Sequence, residues 1–393
     1  MAKDRKLYSL YLFYAVYFIS TGMSTFAPKF EGEIGLSDGQ IGLISSVMAF
    51  VALFMQPAWG VLADRVRYKR TVVAVALALS GGMCFLVLPA AGRFLPLLVV
   101  LTLYSVFSLP AVPVTSAISI EYTAARGRSF GPVRMMGTIG YQVGILATGF
   151  LLARSLRGLY PAMGAMLLLA AGVALLLPKV QGHQHQRQKI SLTVFLKNRE
   201  LLLLLGVVFL AHIGHQFNLS FFSKHLGDLG IGNTVTGFIA TLSVILEIPF
   251  LLVGDRLMKR MSIWRWMTIG LVIGAIRFAL LSVLRAPALI VLAQSLSIAH
   301  LACFEFFPMV YLGRVSGEEL QASSQSVLQM VSFGIARIVG SLTGGLIADA
   351  TGIPAVYAMC AALMLATAVA FYAPMRRRAI ADSRQTGAAN PEP

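Results

Sequence analysis

The sequence predicts an all-α membrane protein, with twelve transmembrane helices in two six-helix, pseudo-symmetric bundles. Three observations predict it. First, 57% of the 393 residues are hydrophobic and 12% are charged, where a soluble globular chain has about 25% charged. Second, continuous apolar stretches of about 20 residues, the length a helix needs to cross the hydrocarbon core, recur along nearly the whole chain. They lack the period-two alternation of a membrane β-barrel. Third, the two halves of the chain repeat each other.

The stretches fall in order as follows. The first, 7–26, carries Tyr8, Tyr11, Tyr14 and Tyr17 at a strict period of three. Tyr8 suits the membrane interface, whereas Tyr14 and Tyr17 lie deeper and are expected to face a cavity. The second, 41–62, contains Gln56 before Pro57 and runs into Gly60-Val61-Leu62-Ala63-Asp64-Arg65-Val66-Arg67-Tyr68-Lys69-Arg70. Asp64 sits at a helix end amid Arg65, Lys69 and other cations, and can pair with the neighbouring bundle as a conformational gate. The third and fourth stretches are 71–90 and 95–120, and Glu121 ends the latter. The fifth, 134–153, opens Arg134-Met135-Met136-Gly137, with Tyr141 two turns further in. Glu121 and Arg134 lie at similar depth, so a salt bridge between them is as well supported as substrate binding by Arg134. The sixth stretch, 158–177, completes a first domain, 1–178.

A polar linker, 179–199, carries His183-Gln184-His185-Gln186 and is read as a solvated loop. The second domain, 200–375, begins with a stretch at 200–222 in which His212, His215 and Gln216 share one helical face. That face is read as lining a substrate cavity. Two histidines at i and i+3 can hold a metal, but this stretch supplies no nearby carboxylate, and no metal or cofactor is expected. The eighth stretch, 235–254, contains Glu247. It is followed by Gly254-Asp255-Arg256 and Lys259-Arg260, a copy of the motif around Asp64, so Asp255 and Arg256 form a second gate. The ninth stretch, 266–284, holds Arg277, and the tenth, 287–311, holds Gln294, His300 and Glu305. The eleventh, 325–346, opens near Gln329-Met330-Val331-Ser332, in register with the opening at Arg134, and holds Arg337. The twelfth is 354–374. The segment 376–393 is Arg-rich, then rich in Gly, Ala, Asn and Pro, and is expected to be disordered. Parallel repeats with a site near mid-bilayer are a transporter architecture.

A charge at mid-bilayer costs about 2.5–3.5 kcal/mol on insertion scales. Such residues persist where they face a polar cavity and find counter-charges. Glu247, Arg277, His300, Glu305 and Arg337 lie at comparable depth. They form either a set of static ion pairs that fix helix packing or a coupling network. Arg does not titrate usefully, so Glu247, His300 and Glu305 are the proton-coupling candidates. Arg277 is a substrate-binding candidate beside Tyr14, Arg134, Tyr141, His212, His215 and Gln216, and Glu121 and Arg337 belong to the charge network.

The net charge of +16 would point to nucleic acid in a soluble chain. Here the cations crowd one set of alternate loops, and only Lys29, Arg93, Arg154, Arg157, Lys224 and Arg285 fall on the other. The positive-inside rule then places both termini in the cytoplasm of a cell whose inner membrane holds the protein. The loops are short and lack interleaved aromatics, so no nucleic acid is expected. Cys84, Cys303 and Cys360 all fall inside apolar stretches and are read as packing residues. No Gly-rich phosphate cradle and no nucleophile elbow occurs, so the chain is not expected to be an enzyme or an ATP-driven pump.

The motif at 60–70 resembles the cytoplasmic signature of the major facilitator superfamily, with Arg67 and Tyr68 departing from its later Gly and Arg. The run Arg134-Met-Met-Gly137-Thr138-Ile139-Gly140-Tyr141, the pairing of Glu247 with Arg277, and the small-residue run from Gly334 to Gly345 resemble the branch holding lactose permease, the phenylpropionate permease and the nucleoside–proton symporters. The resemblance implies that Arg134 and Tyr141 stand at sugar-holding positions of the permease, that Arg277 matches its ninth-span Arg, and that its proton-carrying carboxylate falls near His300. Two of that permease's carboxylates would fall near Ala117 and Val244, with Glu121 and Glu247 each about one turn away. The sequence therefore predicts a secondary transporter of a small organic solute, acting as a monomer by proton symport and alternating access. Proton-antiport efflux is the second transport reading. A membrane sensor that does not transport is the reading from another class.

Overall fold

The computed structural model describes residues 4–180, 198–243, 245, 261–315 and 324–388. Among these residues there is no strand. In chain order the helices are α1 (Arg5–Glu33), α2 (Asp38–Arg65), α3 (Lys69–Ala90), α4 (Phe94–Ala124), α5 (Gly131–Leu151), α6 (Leu156–Ala174), α7 (Arg199–Asp228), α8 (233–243), α9 (Ile263–Val283), α10 (Pro287–Gly313), α11 (Ser324–Thr351) and α12 (Ile353–Ile380). Ten of these are long and apolar enough to span a membrane. Each coincides with an apolar stretch of the sequence. Glu247, Asp255, Arg256 and most of the 179–199 linker lie outside the described residues.

Local chemistry sets the helix ends. Asp4 caps α1 through the Leu7 amide at 3.3 Å. Gly35, at φ 90°, makes the turn that only glycine takes without strain. Ser37 then opens α2 with a capping box, in which its hydroxyl accepts from the Gln40 amide while the Gln40 side chain accepts from the Ser37 amide. Pro110 interrupts α4 between Ser108 and Ala111, because it has no N–H to donate to the helix ladder. The helix of α12 runs on to Ala388, through much of the segment expected to be disordered. Its Met-Arg-Arg-Arg-Ala-Ile-Ala start is rich in strong helix formers, and Arg378 is held by Glu200 at 2.9 Å.

The described contacts divide the chain into two compact units. The first comprises residues 1–188 with 222–241, and the second comprises 189–221 with 242–393. The segment 222–241 joins the first unit through polar contacts. Lys224 meets Asp38 at 2.9 Å, Lys29 donates to the Ile231 carbonyl at 2.7 Å, and Asn233 donates to the Leu152 carbonyl at 2.8 Å.

Each unit contains a helix pair that crosses at closely packed glycines. In the first unit, a Cβ added at Gly140 would stand 2.3 Å from the Ala15 carbonyl oxygen, and one at Gly144 would stand 2.1 Å from that of Ile19. In the second, a Cβ at Gly340 would stand 2.4 Å from the Ile213 oxygen and one at Gly344 would stand 2.3 Å from the Phe217 ring. Thus α1 crosses α5, and α7 crosses α11, through glycines four residues apart. Lipid tails are as apolar as leucine, so helices in a membrane associate through this kind of close packing. Large apolar side chains such as Leu95, Leu151, Val283 and Val369 are exposed, as a surface facing hydrocarbon requires.

Candidate functional site

In the second unit, α7 and α10 bring four ionisable side chains together. His215 and His300 stack with ring centroids 4.1 Å apart and planes 8° from parallel. His212 meets His300 edge-on at 4.7 Å. A Glu305 carboxylate oxygen lies 3.9 Å from His215 Nε2. One ligating atom each from His212, His300 and Glu305 lie within 4.8 Å of one another. His212 is 0% exposed and His300 3%. His212 Nδ1 contacts the Val208 carbonyl oxygen at 2.9 Å. A carbonyl only accepts, so Nδ1 carries the proton and, in the neutral ring, Nε2 keeps a lone pair. Nitrogens of all three rings, Nε2 of His212, Nδ1 of His215 and Nε2 of His300, are buried with no hydrogen-bond partner among the described residues.

The backbone of this region is irregular. A π-helical turn spans Leu301–Phe306 in α10 and carries Glu305. A second, Met330–Ile335, precedes Arg337 in α11. Such turns occur frequently at functional sites. Gln216 donates its amide to the Ser332 carbonyl in the second turn at 3.0 Å. Its N–H therefore serves the neighbouring helix, as buried backbone in a membrane demands.

Arg277 of α9 is 2% exposed, and its guanidinium donates through Nε and a terminal nitrogen to the Gln294 amide oxygen. Gln294 is thus one anchor of Arg277. In α11, Arg337 Nε is buried without a hydrogen-bond partner.

The first unit holds the remaining candidates. Tyr14 is buried, shares a hydrogen bond with Ser116 at 3.2 Å, and packs between Phe18 and Phe130. Tyr141 shares one with Thr25 at 3.1 Å. Arg134 is exposed, with its guanidinium 4.9 Å from the centre of the Phe18 ring. Of the two readings of Arg134, the salt bridge to Glu121 is not formed among the described residues. Glu121 stands 3.9 Å from Lys69, which the turn at Val66–Tyr68 carries beside the end of α4. Asp64 and Arg65 close α2 at this same end.

The sequence reading passed over two features. Glu31, near the end of α1, is 5% exposed, a burial that its place in the sequence among loop-proximal charges hides. At the other end of α1, Asp4 accepts from the Tyr122 hydroxyl at 2.7 Å and pairs with Arg126 at 3.3 Å. The hydroxyl and the cation hold the Asp4 carboxyl below the usual carboxylate range. The aromatic cap over Arg126, 3.6 Å from the Tyr122 ring centre, was invisible without the fold.

Comparison with known proteins gives this arrangement its context. The chain is 27% identical over 353 residues to the maltose permease of Geobacillus stearothermophilus, covering 88% of this chain and 89% of that protein. It is 24% identical over 369 residues to the uncharacterized transporter YwbF of Bacillus subtilis, covering 90% of each. It is 23% identical over 361 residues to the xanthosine permease of Escherichia coli, covering 85% of each. The fold matches the crystal structure of the nucleoside transporter NupG with a TM-score of 0.84 at 19% identity, over 94% of this chain and 98% of that one. These relatives are transporters and not enzymes. The family model described as the MFS_1 like family matches residues 7–359, and the chain belongs to that family of membrane transporters.

Proposed function

We propose that this transporter of small solutes is a proton symporter, importing an uncharged, polar organic solute of the nucleoside or sugar class across the inner membrane. The observation that carries the reading is the cluster of buried His212 and His300 with half-buried His215 and Glu305, beside Arg277. Ionisable groups are costly in a membrane and mark ion and substrate pathways. The relatives named for maltose and xanthosine and the likeness to a nucleoside transporter support the solute class.

In this reading Arg277 and Arg337 supply fixed positive charge, and Glu247, His300 and Glu305 supply the groups that gain and lose a proton. When a helix shift removes a counter-charge from a carboxylate, desolvation favours its neutral form and it takes a proton. Return of the counter-charge expels that proton to the other side. The solute-binding candidates are Arg134, Tyr141 and Tyr14 in the first unit and, taken by themselves, His212, His215 and Gln216 in the second. Asp64, Arg65, Lys69, Asp255 and Arg256 control the alternation between inward and outward access. The functional unit is one chain, with both termini in the cytoplasm.

The test separates coupling from transport. Proteoliposomes carrying Glu247→Gln, Glu305→Gln or His300→Ala are loaded with uridine, xanthosine or maltose. The carrier variant loses accumulation driven by a pH gradient and keeps exchange between equal pools. Normal accumulation in all three variants would place coupling elsewhere.

A further inference from the structure

The histidine–carboxylate cluster, buried at His212 and His300 and half-buried at Glu305, has the composition of a transition-metal site. Near His212 and His215, α7 itself supplies no carboxylate. The fold supplies the missing groups from α10, His300 and Glu305, whose ligating atoms come within 4.8 Å of each other and of a His212 nitrogen. His212 is oriented as a metal-ligating histidine is, with one nitrogen bonded to a backbone carbonyl. The hydrogen bond to the Val208 carbonyl fixes the tautomer and leaves the other nitrogen as the donor. Independently, Nε2 of His212 and Nε2 of His300 are buried without a hydrogen-bond partner among the described residues. The membrane interior offers such groups no water, and a cation coordinated by their lone pairs would satisfy them.

We propose that His212, His300 and Glu305, with His215 at the fourth position, bind one borderline-soft divalent metal ion of the zinc class. Imidazole nitrogen suits zinc, copper and nickel, whereas magnesium and calcium require oxygen cages. Zinc–nitrogen bonds of about 2.0–2.1 Å put tetrahedral ligand atoms about 3.3 Å apart, so the cluster closes on the ion by side-chain rotation. Glu305 provides the negative charge. Arg277 is the opposing positive charge, and its guanidinium is held by Gln294. An ion here ties α7 to α10 and competes with protons for the same lone pairs. The inference does not depend on the transport reading, because its test reads bound metal and not flux.

The test is equilibrium dialysis of the full-length, tag-free protein in detergent against zinc chloride, with magnesium chloride as the control and metal content read by mass spectrometry. The loop histidines are first removed as His183→Ala with His185→Ala. The expected result is one zinc per chain and no magnesium. His212→Ala, His300→Ala and Glu305→Gln each weaken zinc binding by at least about 100-fold, the upper end of what the loss of a mere second-shell group costs. His300→Cys retains zinc, because a thiolate is also a ligand, and gains preference for cadmium. That variant guards against loss through misfolding, as does a monodisperse elution profile for each of the others. Zinc uptake no greater than magnesium uptake, or zinc uptake indifferent to all three ligand substitutions, would overturn the proposal.

Discussion

Arg277 is a charged side chain at full burial whose planar fork grips an amide oxygen through two nitrogens. Lysine offers a point charge on a flexible stem and does not reproduce that geometry. Arg277→Lys is therefore expected to lower transport at least tenfold, about 1.4 kcal/mol, in a solute-uptake assay. Normal uptake by this variant would reduce Arg277 to charge balance. At the membrane-distal end of α1, Asp4 offers a pH test. Its carboxyl is held below the usual range by Tyr122 and Arg126, so this contribution to stability is present above the unfolded carboxylate pKa of about 4 and is lost as pH falls through the lower folded value. Tyr122→Phe should lower the thermal midpoint at about pH 7, and the difference from the parent should shrink toward about pH 3. An equal difference at both pH values would assign the effect to packing.

At the scale of elements, the glycine crossings decide which helices pair. An added Cβ at Gly144 or Gly340 meets a backbone oxygen that cannot rotate away, so Gly144→Val and Gly340→Val should each destabilise by about 1–3 kcal/mol, the range of core overpacking. Gly172→Ala and Gly206→Ala, where a Cβ meets nothing within 4 Å, should be neutral or stabilising. Thermal unfolding in detergent distinguishes them, and equal effects at all four sites would remove the role assigned to the crossings. The sequence made the helices legible, because a run of about 20 apolar residues has one reading in a membrane. It exposed candidate residues through cost, since a buried Arg277 or Glu305 needs a reason. It did not reveal partners. Whether Glu121 meets Arg134 or Lys69 depends on the turn at Val66–Tyr68, and whether His212 meets a carboxylate depends on how α10 packs on α7. The π-turns around Glu305 and before Arg337 also leave no trace in hydrophobic spacing, because they shift a helix face without interrupting the apolar run.

At the scale of the molecule, the two halves share a plan: a motif ending in cations after α2 and after the eighth stretch, and a glycine crossing in each unit. On this plan the loop charges predict cytoplasmic termini. A single cysteine at Ser383 should stay unlabelled by an impermeant thiol reagent in intact cells and react after permeabilisation; labelling of intact cells would invert the topology. Asp64→Asn should slow turnover while leaving solute affinity within about twofold, because a gate residue changes the cycle and not the pocket. The central claim is that proton and solute move together. Its most direct test is the parent protein in proteoliposomes, with external radiolabelled uridine, xanthosine or maltose and an imposed pH gradient, acid outside, at zero membrane potential. The account predicts transient accumulation of one of these solutes above equilibrium, abolished by a protonophore. Equilibration to equal concentrations whether or not the gradient is present would contradict it.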